Sequence, residues 1–353
     1  MTSLKEARVK VERLHGGKPI VCSIESHPWE SKVTFNPACI LVQKSDGLGP
    51  IVDALPFDGG TKAKLAEHEA LCFLLYRAQG RKEEGLNGSP SSLGLAVLSP
   101  ELELLARHPE PVLLPDKPFD NLGVEDARIT KLGGKYFLVY TAYASGSPGN
   151  KIRIAVATTA DFVHWEKQGL LKGDFNIINN KNGILFGDQP GGKYIMLHRP
   201  MEGTDAMTIH WAEAAHPLGK WTSRGVLMQP VENPAFTETW LGGGAPPLKI
   251  PEGYLMLYHI GNRAEDGTRE YDLGIALLKW TVGGLTVLRS GLLMRPETEA
   301  ETTGDEELGV NNVVFICGAY LYKGDCYFPY AGADSVVLAA KIPRRELDRF
   351  VAK

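Results

Sequence analysis

No apolar run in these 353 residues approaches the ~18 needed to span a bilayer. Basic residues form no long run and the net charge is -4, which argues against nucleic acid or an anionic membrane as the main partner. Cysteine is scarce and odd in number: Cys22, Cys39, Cys72, Cys317 and Cys326, with no C-x-x-C pair. Three of them (Cys39, Cys72, Cys317) sit inside apolar runs, so buried free thiols in a reducing compartment are expected rather than disulfides or zinc. The first fourteen residues are charged and lack the 7–15-residue apolar stretch of a signal peptide, giving a cytoplasmic expectation. Helical periodicity is nearly absent; only residues 4–14 and 344–352 read as helices, each a solvated tail or a ring-closing segment.

Several catalytic signatures are missing as well. Gly242-Gly243-Gly244-Ala245-Pro246-Pro247 is followed by no Lys-Ser/Thr and opens no helix, so it is no nucleotide loop; it suits close backbone approach instead. His210 and His216 have no partner at metal-ligand spacing, so no metal is expected. No G-x-S-x-G is present. Asn87-Gly88-Ser89 reads as a turn.

What the chain does have is a repeat. A turn, a short apolar run rich in Tyr and a polar residue recur five times, in runs beginning at Cys72, Tyr136, Tyr194, Tyr254 and Tyr327, roughly 58–73 residues apart. A β-like stretch precedes each run (38–43, 127–132, 183–186, 245–250, 313–322) and another follows it (93–97, 152–157, 207–212, 273–278, 336–340). A weaker fourth strand is expected near Trp165, Trp221 and Trp280. Five such units predict an all-β, five-bladed β-propeller with short terminal helical or irregular extensions. Its blades would lie at about 33–115, 121–175, 180–230, 240–295 and 308–345. A β-sandwich with coincidental aromatic spacing is the competing architecture. The connections 45–64, 81–91 and 294–308 read as long polar loops that could shape a site.

In a propeller the start of each blade's first strand and the end of its second share one face. The starts are Asn36-Pro37, Glu125-Asp126, Lys181-Asn182, Gly243-Gly244 and Asn311-Asn312. The ends are Arg77, Thr141 to Tyr143, Arg199, His259 and Asp334, with Arg153 starting a third strand. Carboxylates, cations and an imidazole therefore converge at one end of the channel. A single pair such as Asp126–Arg128 could be a structural tie, but one tie needs only two of these groups. Carboxylates among amides and aromatics suit a sugar, and an Arg, Lys and His cluster suits an oxyanion such as phosphate. An inverting glycosidase needs two carboxylates with a water between them; one carboxylate beside cations lets phosphate replace the water.

These residues resemble glycoside hydrolase family 130, five-bladed propeller enzymes acting on β-mannosides, over residues 36–340. The strongest element is Gly123-Val124-Glu125-Asp126-Ala127-Arg128-Ile129, followed by Tyr140-Thr141-Ala142-Tyr143 and Arg153-Ile154-Ala155. Leu75-Tyr76-Arg77, Lys181-Asn182, Tyr258-His259, Asn312-Val313-Val314-Phe315 and Ala331-Gly332-Ala333-Asp334 support it. The resemblance implies phosphorolysis of a β-mannoside with inversion to α-mannose 1-phosphate, inorganic phosphate being a co-substrate and no cofactor being needed. It implies Asp126 as general acid, acting through a mannose hydroxyl. It assigns phosphate to Arg153, Lys181 and His259, and the sugar to Asn36, Arg77, Tyr143 and Asp334. Hydrolases of the same family lack the basic set and activate water with glutamate; Glu238 and Glu270 are the candidates for that alternative. A non-catalytic sugar-binding propeller is the third reading. Ala127 stands where the family has Pro, Gly187-Asp188 replaces Pro-Glu, and Ile260 follows the Tyr-His pair. Linkage and acceptor are left to the connections 45–64 and 294–308, and oligomeric state stays open, a homo-oligomer included.

Overall fold

The computed structural model describes residues 7, 9–81, 89–147, 149–231 and 233–352. Five separate four- or five-stranded sheets make the five blades of a β-propeller. In the first, Val33–Gln43, Ala70–Gln79, Ser92–Leu98 and Leu104–Arg107 pair in sequence order; the second repeats this with Gly123–Leu132, Lys135–Ala144, Lys151–Thr159 and Glu166–Leu170. The third uses Asn180–Leu185, Tyr194–Pro200, Ile209–Ala214 and Lys220–Met228, and the fourth Glu238–Gly243, Gly253–Arg263, Arg269–Thr281 and Gly284–Met294. In the fifth, Val314–Phe315, Asp325–Gly332 and Val336–Ile342 are joined by Glu12–Arg13 from the other end of the chain. The middle strands are nearly continuous apolar runs because both faces are covered by neighbouring blades, as at Leu71, Phe73 and Leu75 against Cys72, Leu74 and Tyr76.

Several sequence expectations change here. Residues 9–14 are not helical: Glu12–Arg13 is an edge strand on Val336–Ile342, so main-chain hydrogen bonds close the ring. Residues 4–6 and 8 of that expected helix lie outside the described residues, as do 82–88, including Asn87 and Gly88. The C-terminal helix is present as Arg344–Ala352, with Leu347 and Phe350 buried. Connection 45–64 is not a loop. It holds helices Leu48–Ala54 and Gly59–Ala66, whose Leu48, Ile51, Val52 and Leu65 bury against the first blade. It also joins the end of a first strand to the start of a second, at the face away from Arg77 and Asp126. Trp280 belongs to a third strand rather than a fourth. The stretch 245–250 begins only at Leu248, since Pro246 and Pro247 cannot donate to a ladder.

One device recurs where the first strands begin. Their pairing slips between Phe35 and Ala38, between Glu125 and Arg128 and between Lys181 and Ile184. Each slip holds a residue of positive φ: Asn36 (45°), Asp126 (46°) and Asn182 (57°); Asn312 (58°) begins the fifth blade in the same way. Asn and Asp are the side chains that tolerate this region, and a bulge re-aims the residue it carries. The propeller thereby turns a polar residue of each of these blades inward.

Candidate active site

These re-aimed residues and the second-strand ends enclose a cavity of about 170 Å³ at one end of the channel. It is lined by Asn36, Arg77, Asp126, Lys181, Asn182, Arg199, His259, Arg269, Tyr271, Val313, Phe315 and Asp334. Pockets that enclose a whole drug-sized ligand run to roughly 300–1,000 Å³. A cavity below that range is too small to enclose a whole oligosaccharide, so most of such a ligand would project outward.

Asp126 is held through one oxygen. Asn36 Nδ2 and Arg77 Nη1 both donate to its Oδ1, at 2.7 and 3.1 Å; Oδ2 accepts nothing among the described residues. Burial pushes this carboxyl up, but Arg77, Lys181, Arg128 and the Asn36 amide outweigh burial and hold it at about 2. Arg77 also gives Nη2 to Glu125 at 2.7 Å and Nε to Ser91 at 2.9 Å, which leaves one N–H on each Nη for a ligand. The Asp126–Arg128 tie does not exist as an ion pair. Arg128 donates to the carbonyls of Asp126, Gly243 and Gly244, stitching the second blade to the fourth across the channel.

The cations opposite are different in kind. Lys181 and Arg199 make no ion pair among the described residues. Arg199 touches only His259 Nε2 at 3.4 Å and the Met201 sulfur, and its Nε is buried without a partner. Burial pulls the Arg199 guanidinium down to about 10, against the favourable Tyr271 and Asp126. Lys181 is lowered by burial and by Arg199. His259 is pushed well below the ordinary histidine range by burial and by Arg199, Arg128 and Lys181. It is therefore neutral. With Nε2 accepting from Arg199, its proton sits on Nδ1, a donor with no partner. Asn36 Oδ1, Asn182 Oδ1 and Asp334 Oδ1 are likewise buried and unpartnered. Polar atoms so rarely stay unsatisfied that five around one cavity point to a polar ligand.

The glycine run explains itself here. A Cβ on Gly242 would fall 2.0 Å from His259 Nε2, and one on Gly243 2.4 Å from Ile184. Gly242→Ala is expected to displace the imidazole and raise the KM for the anion by about 1–3 kcal/mol of overpacking cost, roughly 5- to 150-fold. Initial rates against anion concentration check this; an unchanged KM would show that His259 has room to move.

The structure brings Asn36, Arg77, Asp126, Lys181, His259 and Asp334 together and leaves four expected residues outside. Arg153 turns away from the cavity, donating to Asn179 Oδ1 at 2.7 Å and to the Ile177 and Ile152 carbonyls, so it braces the turn that precedes Lys181. The Tyr143 hydroxyl accepts from Asn150 on the surface. Glu238 is exposed and paired with Arg263 at 3.0 Å. Glu270 does not line the cavity and faces Asp272, whose carboxyl is raised to about 7 by burial and then by Glu270. Arg269 and Tyr271 were not singled out from sequence. They alternate on one face of a third strand just beyond His259, a period-2 signal hidden among ordinary strand residues.

A family model described as beta-1,4-mannooligosaccharide phosphorylase matches residues 72–353. The chain belongs to glycoside hydrolase family 130. It is 28% identical over 340 residues to a 1,2-beta-oligomannan phosphorylase of Thermoanaerobacter sp., covering 96% of this chain and 99% of the other. It is 29% identical over 231 residues to a beta-1,2-mannobiose phosphorylase of Listeria innocua, covering 65% and 60%. Among solved structures, the Listeria innocua beta-1,2-mannobiose phosphorylase with beta-1,2-mannobiose superposes with a TM-score of 0.74 at 19% identity, covering 98% and 99%. A family 130 structure described with glycoside hydrolases that target beta-1,2 mannosidic linkages in Candida mannan reaches 0.74 at 23%, covering 96% and 94%. At those identities the superpositions speak for the family 130 fold alone. Among the described residues no helix is long and apolar enough to cross a membrane.

Proposed function

We propose that this family 130 enzyme is an inverting β-mannoside phosphorylase, releasing α-mannose 1-phosphate from the non-reducing end of a β-mannobiose or β-oligomannoside. The observation that carries the reading is the pair of cations, buried Arg199 and half-buried Lys181, which line the same cavity as Asp126 without carboxylate partners among the described residues. A buried cation without a partner is costly. Phosphate would offset that cost and meet the His259 Nδ1–H and Tyr271 hydroxyl donors as well. Asn36, Arg77 and Asp334 would hold the mannosyl unit, with Phe315 supplying an apolar wall. Asp126 would deliver the proton through a sugar hydroxyl from Oδ2. Arg153 becomes a brace rather than a phosphate ligand.

The hydrolase reading would place a glutamate in the cavity to activate water. Neither candidate is there: Glu238 is paired with Arg263 at the surface, and Glu270 does not line the cavity. The relatives covering nearly the whole chain carry β-1,2 names, so the substrate panel starts with β-1,2-mannobiose and β-1,2-oligomannans and continues to β-1,4-linked sugars. With phosphate, α-mannose 1-phosphate and a shortened acceptor should appear in equal amounts; without it, turnover should stop. Free mannose released equally with and without phosphate rejects the reading.

A further inference from the structure

Six charged side chains line this cavity, Arg77, Lys181, Arg199 and Arg269 with Asp126 and Asp334, and Glu125 stands behind Arg77. Holding a sugar does not by itself account for the state of Asp334. The Arg77 guanidinium is oriented by Ser91, Asp126 and Glu125, one bond from each nitrogen, and makes no hydrogen bond to Asp334. Asp334 makes no ion pair among the described residues, and its Oδ1 is buried with no donor to it. An ionised carboxylate in that position has no cation at ion-pair distance among the described residues and no donor to Oδ1, whereas a protonated one removes most of the desolvation cost.

The groups that face it come from every neighbouring blade. Arg77 belongs to the first blade, Glu125 and Asp126 to the second, Lys181 to the third and Tyr271 to the fourth. The Cys317 thiol lies within reach of its field, and Asp305 packs on the same turn through a 2.7 Å hydrogen bond from its N–H to Ser335 Oγ. Burial raises the Asp334 carboxyl most, Arg77 and Lys181 oppose this, and Asp126 and Glu125 add to it; it is raised to about 7. Asp126 shows the reverse, held at about 2. The group placed to act as general acid is therefore ionised before phosphate is bound, and of the two carboxyls Asp334 is the one that takes a proton more readily.

A phosphate dianion seated on Lys181 and Arg199 changes this balance. It cancels much of the positive field that keeps Asp126 ionised and adds negative charge facing both carboxyls, which favours their protonated forms. We propose that Asp334 is the proton-holding residue of the site, and that phosphate binding draws a proton into the Asp126–Asp334 carboxyl pair so that Asp126 is protonated when the glycosidic bond breaks. The proposal rests on the phosphorylase reading above. The cycle balances. A phosphate oxygen bonds to C1 as the C1–O bond to the acceptor breaks; the electron pair leaves with that oxygen, which takes the Asp126 proton through the sugar hydroxyl. Phosphate becomes a more acidic ester, and the proton it carried as hydrogen phosphate returns to the carboxyl pair.

The test is isothermal titration of the wild-type enzyme with inorganic phosphate at about pH 8, in buffers of different ionisation enthalpy. Phosphate is then mostly dianionic, so protons taken up go to the protein. About one proton per phosphate is expected, and the phosphate Kd should weaken as pH rises through 7 to 9. Asp334→Asn, which keeps size and tolerates the residue's positive φ of 47°, should bind phosphate with little uptake and a flat pH dependence. A second readout needs no variant: phosphate should increase the infrared carbonyl band of a protonated carboxylic acid in the wild type. Binding without proton uptake, equal uptake in Asp334→Asn, or no change in that band overturns the proposal and leaves the phosphorylase reading standing. Absence of phosphate binding overturns both.

Discussion

Asp126→Asn should lower kcat on a β-mannoside by about 10²–10⁴-fold, the usual contribution of a positioned general acid, while phosphate still binds. Asparagine suits the backbone, because φ at this bulge is 46° and Asn is among the few residues that adopt it readily. Its Oδ1 can still accept from Asn36 and Arg77, so the geometry around the first oxygen survives. The change removes the transferable proton and a negative charge opposite Lys181. The phosphate Kd should therefore stay level or tighten. Alanine at this position would mix the chemical loss with backbone strain and is the poorer probe. Steady-state kinetics together with phosphate titration decide the matter: a kcat within tenfold of wild type removes Asp126 from the proton path, and a lost phosphate site shows that it acts structurally.

Arg199→Met should have the second largest effect and should act in opposite directions on binding and stability. The guanidinium is buried, lacks a carboxylate and touches only an imidazole nitrogen and a thioether. Its removal should raise the phosphate KM by about 2–4 kcal/mol, or roughly 30- to 1,000-fold, the scale of losing one partner of a desolvated charge pair. The empty protein should be no less stable, since an unpaired buried charge is replaced by an apolar side chain of similar length. Thermal melts with and without phosphate are the check. Wild type should gain Tm with phosphate through mass action, and the variant should not, while its own phosphate-free Tm equals or exceeds that of wild type. A fall in that Tm with an unchanged phosphate KM would make Arg199 a structural residue. Proteins keep such locally unfavourable groups where a ligand completes them.

Much of this was legible before any coordinates. The third strands expected at 93–97, 152–157 and 336–340 lie within Ser92–Leu98, Lys151–Thr159 and Val336–Ile342, because β-branched and aromatic runs between turns carry their own signal. Asn36, Asp126 and Lys181-Asn182 were readable for a related reason: a polar residue at the start of an apolar strand marks where the chain meets the channel. Arg153 was misplaced because adjacency to that face says nothing about rotamer, and its guanidinium found Asn179 and the Ile177 carbonyl before the channel. The helices at 48–54 and 59–66 were missed because their apolar residues, Leu48, Ile51, Val52 and Leu65, lie among glycines, prolines and charges that read as loop. Their place on the far face removes them from acceptor choice. The 294–308 connection remains beside the site, where Asp305 meets Ser335 next to Asp334.

By itself the sequence determined the five-fold repeat, the all-β architecture and most of the polar ring, since each follows from local periodicity and from which residues begin and end a strand. Only the tertiary structure decided how the charges are shared. Arg77 pairs with Asp126 and Glu125, while among the described residues Lys181, Arg199 and Asp334 make no ion pair. That division depends on distances between blades tens to hundreds of residues apart, and in a buried site with little screening those distances set each group's protonation state.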